Sequence, residues 1–552
     1  MWQTHSISNQ VDDYADYNLL ATDPILRQAL ARAGADWAEP ALLDFGAQLG
    51  QRESYAQAEL ANRHGPELRS HDARGRRIDQ VEFHPAWHEF LALYRGQGLV
   101  SLAFETERPG RWSAFAAGFY LHGQIEAGSL CPATMTQACI PVLQKEAALF
   151  ERLRGQLYSR DYDPRDLPLE RKTSLWVGMG MTEKQGGSDL RSNSTEATAL
   201  GAGGRGAEYL LRGHKWFFSA PMCDAHLVLA CTEAGPSCFW LPRWRPDGTK
   251  NPIHIQRLKS KLGNRSNSSS EVEFADAWGL MVGEDGRGIP TIIEMAGYTR
   301  LNCVIGSAAI QRQALVQALH YARERMAFGK RLAEQPLMRS VLADLALESE
   351  AAALLMMRLA QAFERGADDV AERAWQRIMT PAAKFWVCKR AVELCGEAME
   401  VLGGNGYVEE GVLARLYREA PVNSIWEGSG NVMCLDVLRG IAREPQATHA
   451  LLDELQQLAG DSAPLRSELA ALRDLLTRTP PADFEALGRQ FAQRLVLLAQ
   501  ACLMSQHAPS EVAEAFIASR LLDAQSGRVY GALDTRGIAV DALLARALPI
   551  PS

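Results

Sequence analysis

The segment MTEKQGGSD, Met181 to Asp189, is where the texture of the chain changes from helix-forming to strand-forming. Upstream, from about Pro24 to Arg171, apolar residues recur at intervals of three and four, as in AWHEFLALYRGQGLVSLAF (Ala86–Phe104) and TQACIPVLQKEAALFERLRGQL (Thr136–Leu157). Downstream, short β-rich segments such as HLVLACT (His226–Thr232), CFWLPR (Cys238–Arg243) and SSSEVEF (Ser268–Phe274) are separated by Gly, Pro, Asn and Asp clusters. The first two of these, joined by EAGPS, predict a hairpin. Beyond Ile289 helical spacing returns, and in AAKFWVCKRAVELCGEAMEVLGG Phe385, Cys388, Val392, Cys395, Met399 and Leu402 form one buried stripe that ends at Gly403 and Gly404. The pattern predicts an α+β chain with a helical domain over 1–180, a β domain over 181–288, a helix bundle over 289–441 and an additional helical segment over 442–552.

Composition narrows the functional classes. The chain has 552 residues, more than one hydrophobic core usually supports, with 47% hydrophobic and 22% charged residues. A formal net charge of −8 argues against a surface that coats nucleic acid or anionic lipid throughout. The ten cysteines are scattered without a C-x-x-C pair, which argues against a zinc site or disulfide framework and for a reducing compartment. MWQTHSISNQ has no basic and apolar leader pattern, and no apolar run is long enough to span a bilayer, so the expectation is a cytoplasmic protein with no membrane partner.

Several small constellations read as structure. GAGGRG (Gly201–Gly206) spells a dinucleotide fingerprint but is followed by strand-like AEYLLRGHKWFFS, so a loop between strands is expected. His84 and His88 could share a helix face but have no third ligand nearby, and no metal site is expected. RGRR (Arg74–Arg77) reads as a solvated loop. One motif resists a bland reading: SIWEGSGN, Ser424 to Asn431, sets Glu427 between apolar Ile425 and Trp426 and the flexible Gly428, Ser429 and Gly430.

Four patterns in order carry the functional reading: MTEKQGGSD; GHKWFFS (Gly213–Ser219); YARERMAFGKRLAEQ (Tyr321–Gln335); and EVLGGNGY followed by ARLYREAPVNSIWEGSGN (Glu400–Asn431). Together they resemble the acyl-CoA dehydrogenase family, from about Met181 to Gly440. With AGSLCPATMT (Ala127–Thr136) and the long tail, the chain is more similar to the AidB-like, alkylation-response branch. The resemblance implies a helical N-terminal domain, a middle β-barrel or sandwich, and a C-terminal helix bundle with an extra helical tail. It implies FAD as cofactor, with Met181, Thr182, Gly187 and Ser188 lining the flavin and its phosphates. Phe217 falls at the ring-packing position beside Phe218, and Ser219 at the hydroxyl position near flavin N5. Arg325 and Gln335 match contacts to the pyrophosphate and adenosine end across a subunit interface, which implies a homotetramer. Ile425, Trp426, Gly428, Ser429 and Asn431 fall on the loop beside the cofactor.

Glu427 matches the family's catalytic base, which removes the α-proton of an acyl-CoA thioester while the β-hydrogen leaves as hydride to flavin N5. The residues agree with that role: a carboxylate is a stronger base when desolvated, and glycines let backbone approach a cofactor closely. Thr299, in AGYTRLNCV, stands at the family's other glutamate position. Glu400 replaces a usual Gln, and Trp426 could narrow an acyl pocket. A flavin-containing protein that binds and protects duplex DNA, with weak turnover, stays open as the alternative. Residues 442–552 carry ten Arg, no Lys and thirteen Asp plus Glu, so DNA binding would need a focused arginine cluster.

Overall fold

Strand formation begins earlier than the helical texture of the first 180 residues predicts. β1 (Glu67–His71) and β2 (Arg77–Glu82) pair antiparallel, with Glu67 opposite Glu82 and Leu68 opposite Val81. Asp72 closes the turn by accepting from the backbone N–H groups of Arg74 and Arg76, at 2.8 and 2.9 Å. The RGRR run is therefore a hairpin turn with exposed arginines at 74 and 76. Strands this short and this charged lack the apolar alternation that would announce them.

The computed structural model describes residues 4–522, 529–532 and 535–549, and the chain divides into two compact units. One comprises residues 56–107 and 126–302; the other comprises residues 1–55, 108–125 and 303–552. The helix-rich N-terminal block is thus shared between both. The helix Gly288–Glu324 contributes its residues up to Asn302 to the first unit and those from Cys303 to the second.

The first unit is built around seven strands: β3 (Val177–Gly180), β4 (Glu196–Ala199), β5 (Glu208–Ser219), β6 (Ala225–Thr232), β7 (Gly235–Pro242), β8 (Ile253–Leu258) and β9 (Ser269–Val282). β4, β5, β9, β7 and β6 pair in that order, and β6 pairs β4 again, which closes a barrel; β3 extends it beside β6 and β8 beside β9. Closure leaves few free edges. The barrel is filled by Leu211, Phe218, Val228, Phe239, Val272, Phe274 and their neighbours, and Val81 of the upstream hairpin joins this core. The expected β6–β7 hairpin forms with Thr232 opposite Gly235, a shorter turn than EAGPS suggests. GAGGRG lies in the loop between antiparallel β4 and β5 and opens no helix.

One irregularity in β5 matters for the site. Lys215 pairs Val272 and Phe218 pairs Ser270, so Trp216 and Phe217 together face the single residue Glu271. This is a β-bulge. It turns Phe217 outward, 53% exposed, while Phe218 stays fully buried.

The second unit is helical. Pro336–Arg365, Thr380–Leu402, Val412–Asn423 and Gly430–Arg443 are its principal helices, with Arg111–Gly123 and the end of Gly288–Glu324. Phe385, Cys388, Cys395 and Leu402 of the expected stripe are buried, and Val392 and Met399 half-buried. The tail adds Pro445–Ala459, Ala463–Arg478 and Gly488–His507, the last two separated at TPPADF. Among the described residues no helix is long and apolar enough to cross a membrane, and no group of three His, Cys, Asp or Glu could hold a metal. His84 caps the helix Pro85–Gly96 through the Ala86 N–H, and His88 contacts the Tyr162 hydroxyl at 2.5 Å.

Candidate active site

The β unit supplies a rigid shelf made by the MTE loop and the end of β5. The Trp216 N–H donates to the Thr182 carbonyl at 2.8 Å, joining the two segments, and Asn193 Nδ2 donates to the Met181 carbonyl at 2.8 Å. Beneath the loop, Glu183 and Lys215 form a fully buried ion pair at 2.7 Å. Glu183 also accepts from the Ser194 N–H (2.7 Å), the Ser194 hydroxyl (2.9 Å), the Thr195 N–H (3.1 Å) and Gln185 Nε2 (2.7 Å). Burial pushes its carboxyl up, but the Lys215 ammonium and these donors outweigh burial and hold it down at about 2. Burial lowers Lys215, and Glu183 opposes that in part. The glutamate of MTE and the lysine of GHK are therefore structural, fixing the loop from below.

On this shelf the side chains expected at a flavin are arranged in two layers. Thr182 and Ser219 are half-buried, Met181 likewise, and Gly187 and Ser188 exposed. A methyl group at Gly187 would lie 2.7 Å from the Thr182 hydroxyl oxygen, so only glycine leaves that hydroxyl open. Among the described residues, the hydroxyls of Thr182, Ser188 and Ser219 make no hydrogen bond within the chain. Phe217 offers an open aromatic face with Lys259 Nζ 4.4 Å from its centroid, and the same ammonium sits 3.8 Å over Trp216. Phe218 lies beneath, stacked on His226 at 4.2 Å in the barrel core. Its contribution is to packing, because the bulge carries Phe217 and not Phe218 to the surface. Three hydroxyls that make no hydrogen bond among the described residues, beside one open aromatic face, are the kind of surface a flat ring with a polar edge requires. The residues present fit a flavin. Thr299, of the same unit, is fully buried.

In the helical unit SIWEGSGN forms the turn between helices Val412–Asn423 and Gly430–Arg443. The N–H groups of Ile425 and Trp426 both bond the Val422 carbonyl, at 2.9 and 3.1 Å, and Ile425 is exposed. Glu427 is half-buried with φ +57°, and Gly428 follows at φ +105°. A left-handed glutamate is disfavoured by roughly 1 kcal/mol or more and persists only where its surroundings hold it. They do so here. Lys384, 1% exposed on the helix Thr380–Leu402, donates to the Gly428 carbonyl at 2.8 Å, and Lys389 reaches the Ser424 hydroxyl at 3.4 Å. A methyl group on Gly428 would fall 2.4 Å from Met433 Cε. Exposed Ser429 caps the following helix without a side-chain hydrogen bond, and Asn431 accepts from Arg489 of the tail at 3.0 Å. Arg415 donates to the Ile125 carbonyl and Arg418 pairs with Glu409, so both arginines near the turn have their own partners.

Arg325 and Gln335 bracket a two-stranded hairpin, β10 (Met326–Ala327) and β11 (Lys330–Arg331). Arg325 donates to the Asn9 carbonyl, Asn9 exchanges two further hydrogen bonds with Met326 at 2.8 and 2.9 Å, and Gln335 donates to the Ala327 carbonyl at 3.1 Å. Phe328 at its tip is 99% exposed. Sequence reasoning missed Asn9, Lys384 and Arg489. Only Lys384 left a signal, as a lysine in AAKFWV on an otherwise apolar stripe.

Comparison with known proteins divides the matched sequence into three consecutive segments. Residues 9–164 match the adaptive response protein AidB N-terminal domain, 178–277 the acyl-CoA dehydrogenase middle domain and 286–442 the acyl-CoA dehydrogenase C-terminal domain. AidB of Escherichia coli (strain K12) is 47% identical over 528 residues, covering 95% of this chain and 96% of that one. The chain belongs to the acyl-CoA dehydrogenase family, in its AidB branch. Proteins of this family bind FAD. Acyl-CoA dehydrogenase family member 11 of Caenorhabditis elegans is 30% identical over 473 residues, 81% of this chain and 74% of that one. The structure of Caenorhabditis elegans ACDH-11 in complex with C11-CoA superposes with a TM-score of 0.85 at 25% identity, over 98% of this chain and 97% of that one. The α+β architecture with a middle β domain between helical parts is that of the family.

Proposed function

We propose that this protein is an FAD-dependent oxidoreductase that introduces a double bond between the α and β carbons of an acyl-CoA thioester, with Glu427 as the base. The observation that carries the reading is the Glu427–Gly428 turn: a half-buried carboxylate in a disfavoured backbone conformation, held by a buried lysine. Strain retained in this way marks a position whose direction matters. Thr182, Ser188, Ser219 and Phe217 on the shelf, and Arg325 and Gln335 at the hairpin, are the residues that would hold the cofactor. FAD, when bound, supplies the acceptor for the hydride lost from the β-carbon.

This chain's own residues account for the proton. Glu427 Oε accepts the α-proton, and positioned proton transfer of this kind contributes about 10²- to 10⁴-fold to rate. Half-buried Trp426, next to Glu427 in sequence, and exposed Ile425 give the turn an apolar surface that an acyl group would meet. The acyl-CoA substrate class is supported by the C11-CoA held by the Caenorhabditis elegans relative.

Three further parts of the reading have separate support. A homotetramer is supported by the exposed apolar group Met326, Phe328 and Leu337 at the hairpin, and a cytoplasmic location by the scattered cysteines. The DNA-protecting alternative draws on the match to the adaptive-response N-terminal domain; its test is retention on duplex DNA with a salt dependence of several ions released.

The deciding experiment is anaerobic mixing of the yellow protein with a panel of acyl-CoA thioesters. Loss of oxidised-flavin absorbance is expected with at least one, and Glu427→Gln should abolish it while flavin stays bound. Absence of bleaching across the panel refutes the proposal.

A further inference from the structure

The lysine beneath the turn is an anomaly that the family's chemistry leaves unused. Lys384 is 1% exposed, on a helix whose neighbouring positions Phe385, Val387 and Cys388 are all buried. Burying an ammonium is unfavourable unless it is hydrogen-bonded and offset by opposite charge. Among the described residues, however, its hydrogen bond goes to one backbone carbonyl, that of Gly428, and it has no carboxylate within ion-pair distance. A leucine or methionine would fill the same space without that penalty, so packing does not explain the charge.

What the ammonium does hold is one end of the segment that carries Glu427. Lys389, five residues further along the same helix, reaches the other end at Ser424 Oγ. The next residues are tied as well, with Met433 pressed against Gly428 and Arg489 bonded to Asn431. Charged and titratable groups near the turn include Cys303 of the helix Gly288–Glu324, Cys388 and Lys389 beside Lys384, Cys434 of the following helix, and Arg489 of the tail. Burial raises all three thiols, so they remain neutral near pH 7 and compensate no positive charge. The buried Cys303 thiol feels both Lys384, which lowers it, and Glu427, which raises it.

We propose that Lys384 is a positioning residue: by gripping the Gly428 carbonyl it locks the left-handed Glu427–Gly428 backbone and fixes the direction of the Glu427 carboxylate. The inference rests on Glu427 being the base. A charge-assisted hydrogen bond in a dry site is stronger and more directional than a neutral one, which is the property a strained turn needs. Lys384 does not touch the substrate. Its removal should lower the rate of proton abstraction and leave the affinity for substrate unchanged.

The test combines two readouts on full-length protein. In the first, the rate of flavin bleaching by a reactive acyl-CoA is measured against its concentration for wild type, Lys384→Met, Lys384→Gln and Lys384→Arg. Lys384→Met should lower the limiting rate about 100-fold, the scale of a misplacement near 1 Å, with the half-saturating concentration unchanged. Lys384→Arg should recover most of it, and Lys384→Gln, which keeps a donor for the carbonyl, should fall between them. In the second, hydrogen exchange of the Ile425 and Trp426 amides is followed in flavin-free protein, and should accelerate at least tenfold in Lys384→Met and return toward wild type in Lys384→Arg. A limiting rate within twofold of wild type in Lys384→Met overturns the proposal. So does a parallel loss of rate and affinity that arginine does not rescue. If Lys384→Met does not fold, the Gln and Arg variants decide by the same criteria. Failure of wild type to bleach refutes the base assignment of Glu427 instead, and the exchange arm still reports whether Lys384 holds the turn.

Discussion

The buried Glu183–Lys215 pair makes an asymmetric prediction that depends on who else bonds each partner. Glu183→Gln removes the anion at 2.7 Å from Lys215 Nζ and leaves an ammonium in the barrel wall with no other partner among the described residues. Uncompensated buried charges of this kind are destabilising by about 3–5 kcal/mol. Lys215→Met leaves the Glu183 carboxylate with its donors from Ser194, Thr195 and Gln185. The loss should then be closer to that of one hydrogen bond to a charged group, about 1.5–3 kcal/mol. The assay is hydrogen exchange at the Ser194 and Thr195 amides, which both donate to Glu183. Exchange should accelerate roughly 100- to 3,000-fold in Glu183→Gln, from tenfold per 1.4 kcal/mol, and clearly less in Lys215→Met. Flavin retention should follow the same order, because Met181 and Thr182 ride on this loop. Equal effects, or a larger one from Lys215→Met, would refute the assignment of the carboxylate as the better satisfied partner.

Phe218→Ala should destabilise the barrel by about 3–5 kcal/mol as a core truncation, whereas Phe217→Ala should change folding by under about 0.5 kcal/mol and weaken flavin binding; melting curves and flavin titration distinguish them. Because the carboxyl of Glu183 is depressed to about 2 in the folded chain, the stability it contributes is complete above its ordinary value near 4.5 and drains away as pH falls from there toward 2. Near-ultraviolet dichroism of the β unit should track that window, and Lys215→Met should shift its onset to higher pH. Gly428→Ala meets both the φ of +105° and the contact with Met433, so Met433→Ala should fail to restore the exchange protection of Ile425 and Trp426 in the double variant.

The broad plan of the chain was legible because its signals are long. The Thr380–Leu402 stripe spans many helical turns, and the β6 and β7 runs are apolar enough to declare themselves. The hairpin at Glu67–Glu82 was not legible, since its strands are rich in charged residues and, of their side chains, only Val81 is a buried member of the core, with Leu68 packed against it. Within the candidate site, the odd placement of Glu427 could be seen in SIWEGSGN from composition alone, but its left-handed backbone and its lysine could not. Both depend on a helix some forty residues upstream in sequence. Asn9 and Arg489 lie farther away still, and nothing in their local sequence marks them. Phe218 shows the limit of reading by position: counting alternate residues from buried Lys215 sends Phe217 inside, and one extra residue in the strand reverses the order.

That extra residue has a consequence for how the barrel tolerates change in length. Trp216 and Phe217 share one partner across the ladder, so deleting either one would restore strict alternation along β5 without breaking a strand. The surviving aromatic would then occupy a regular outward position, and everything from Phe218 onward could keep its register against β9. A single-residue deletion here is thus an edit that the fold can absorb and the ligand shelf cannot, separating the architecture of this protein from its chemistry at one peptide unit.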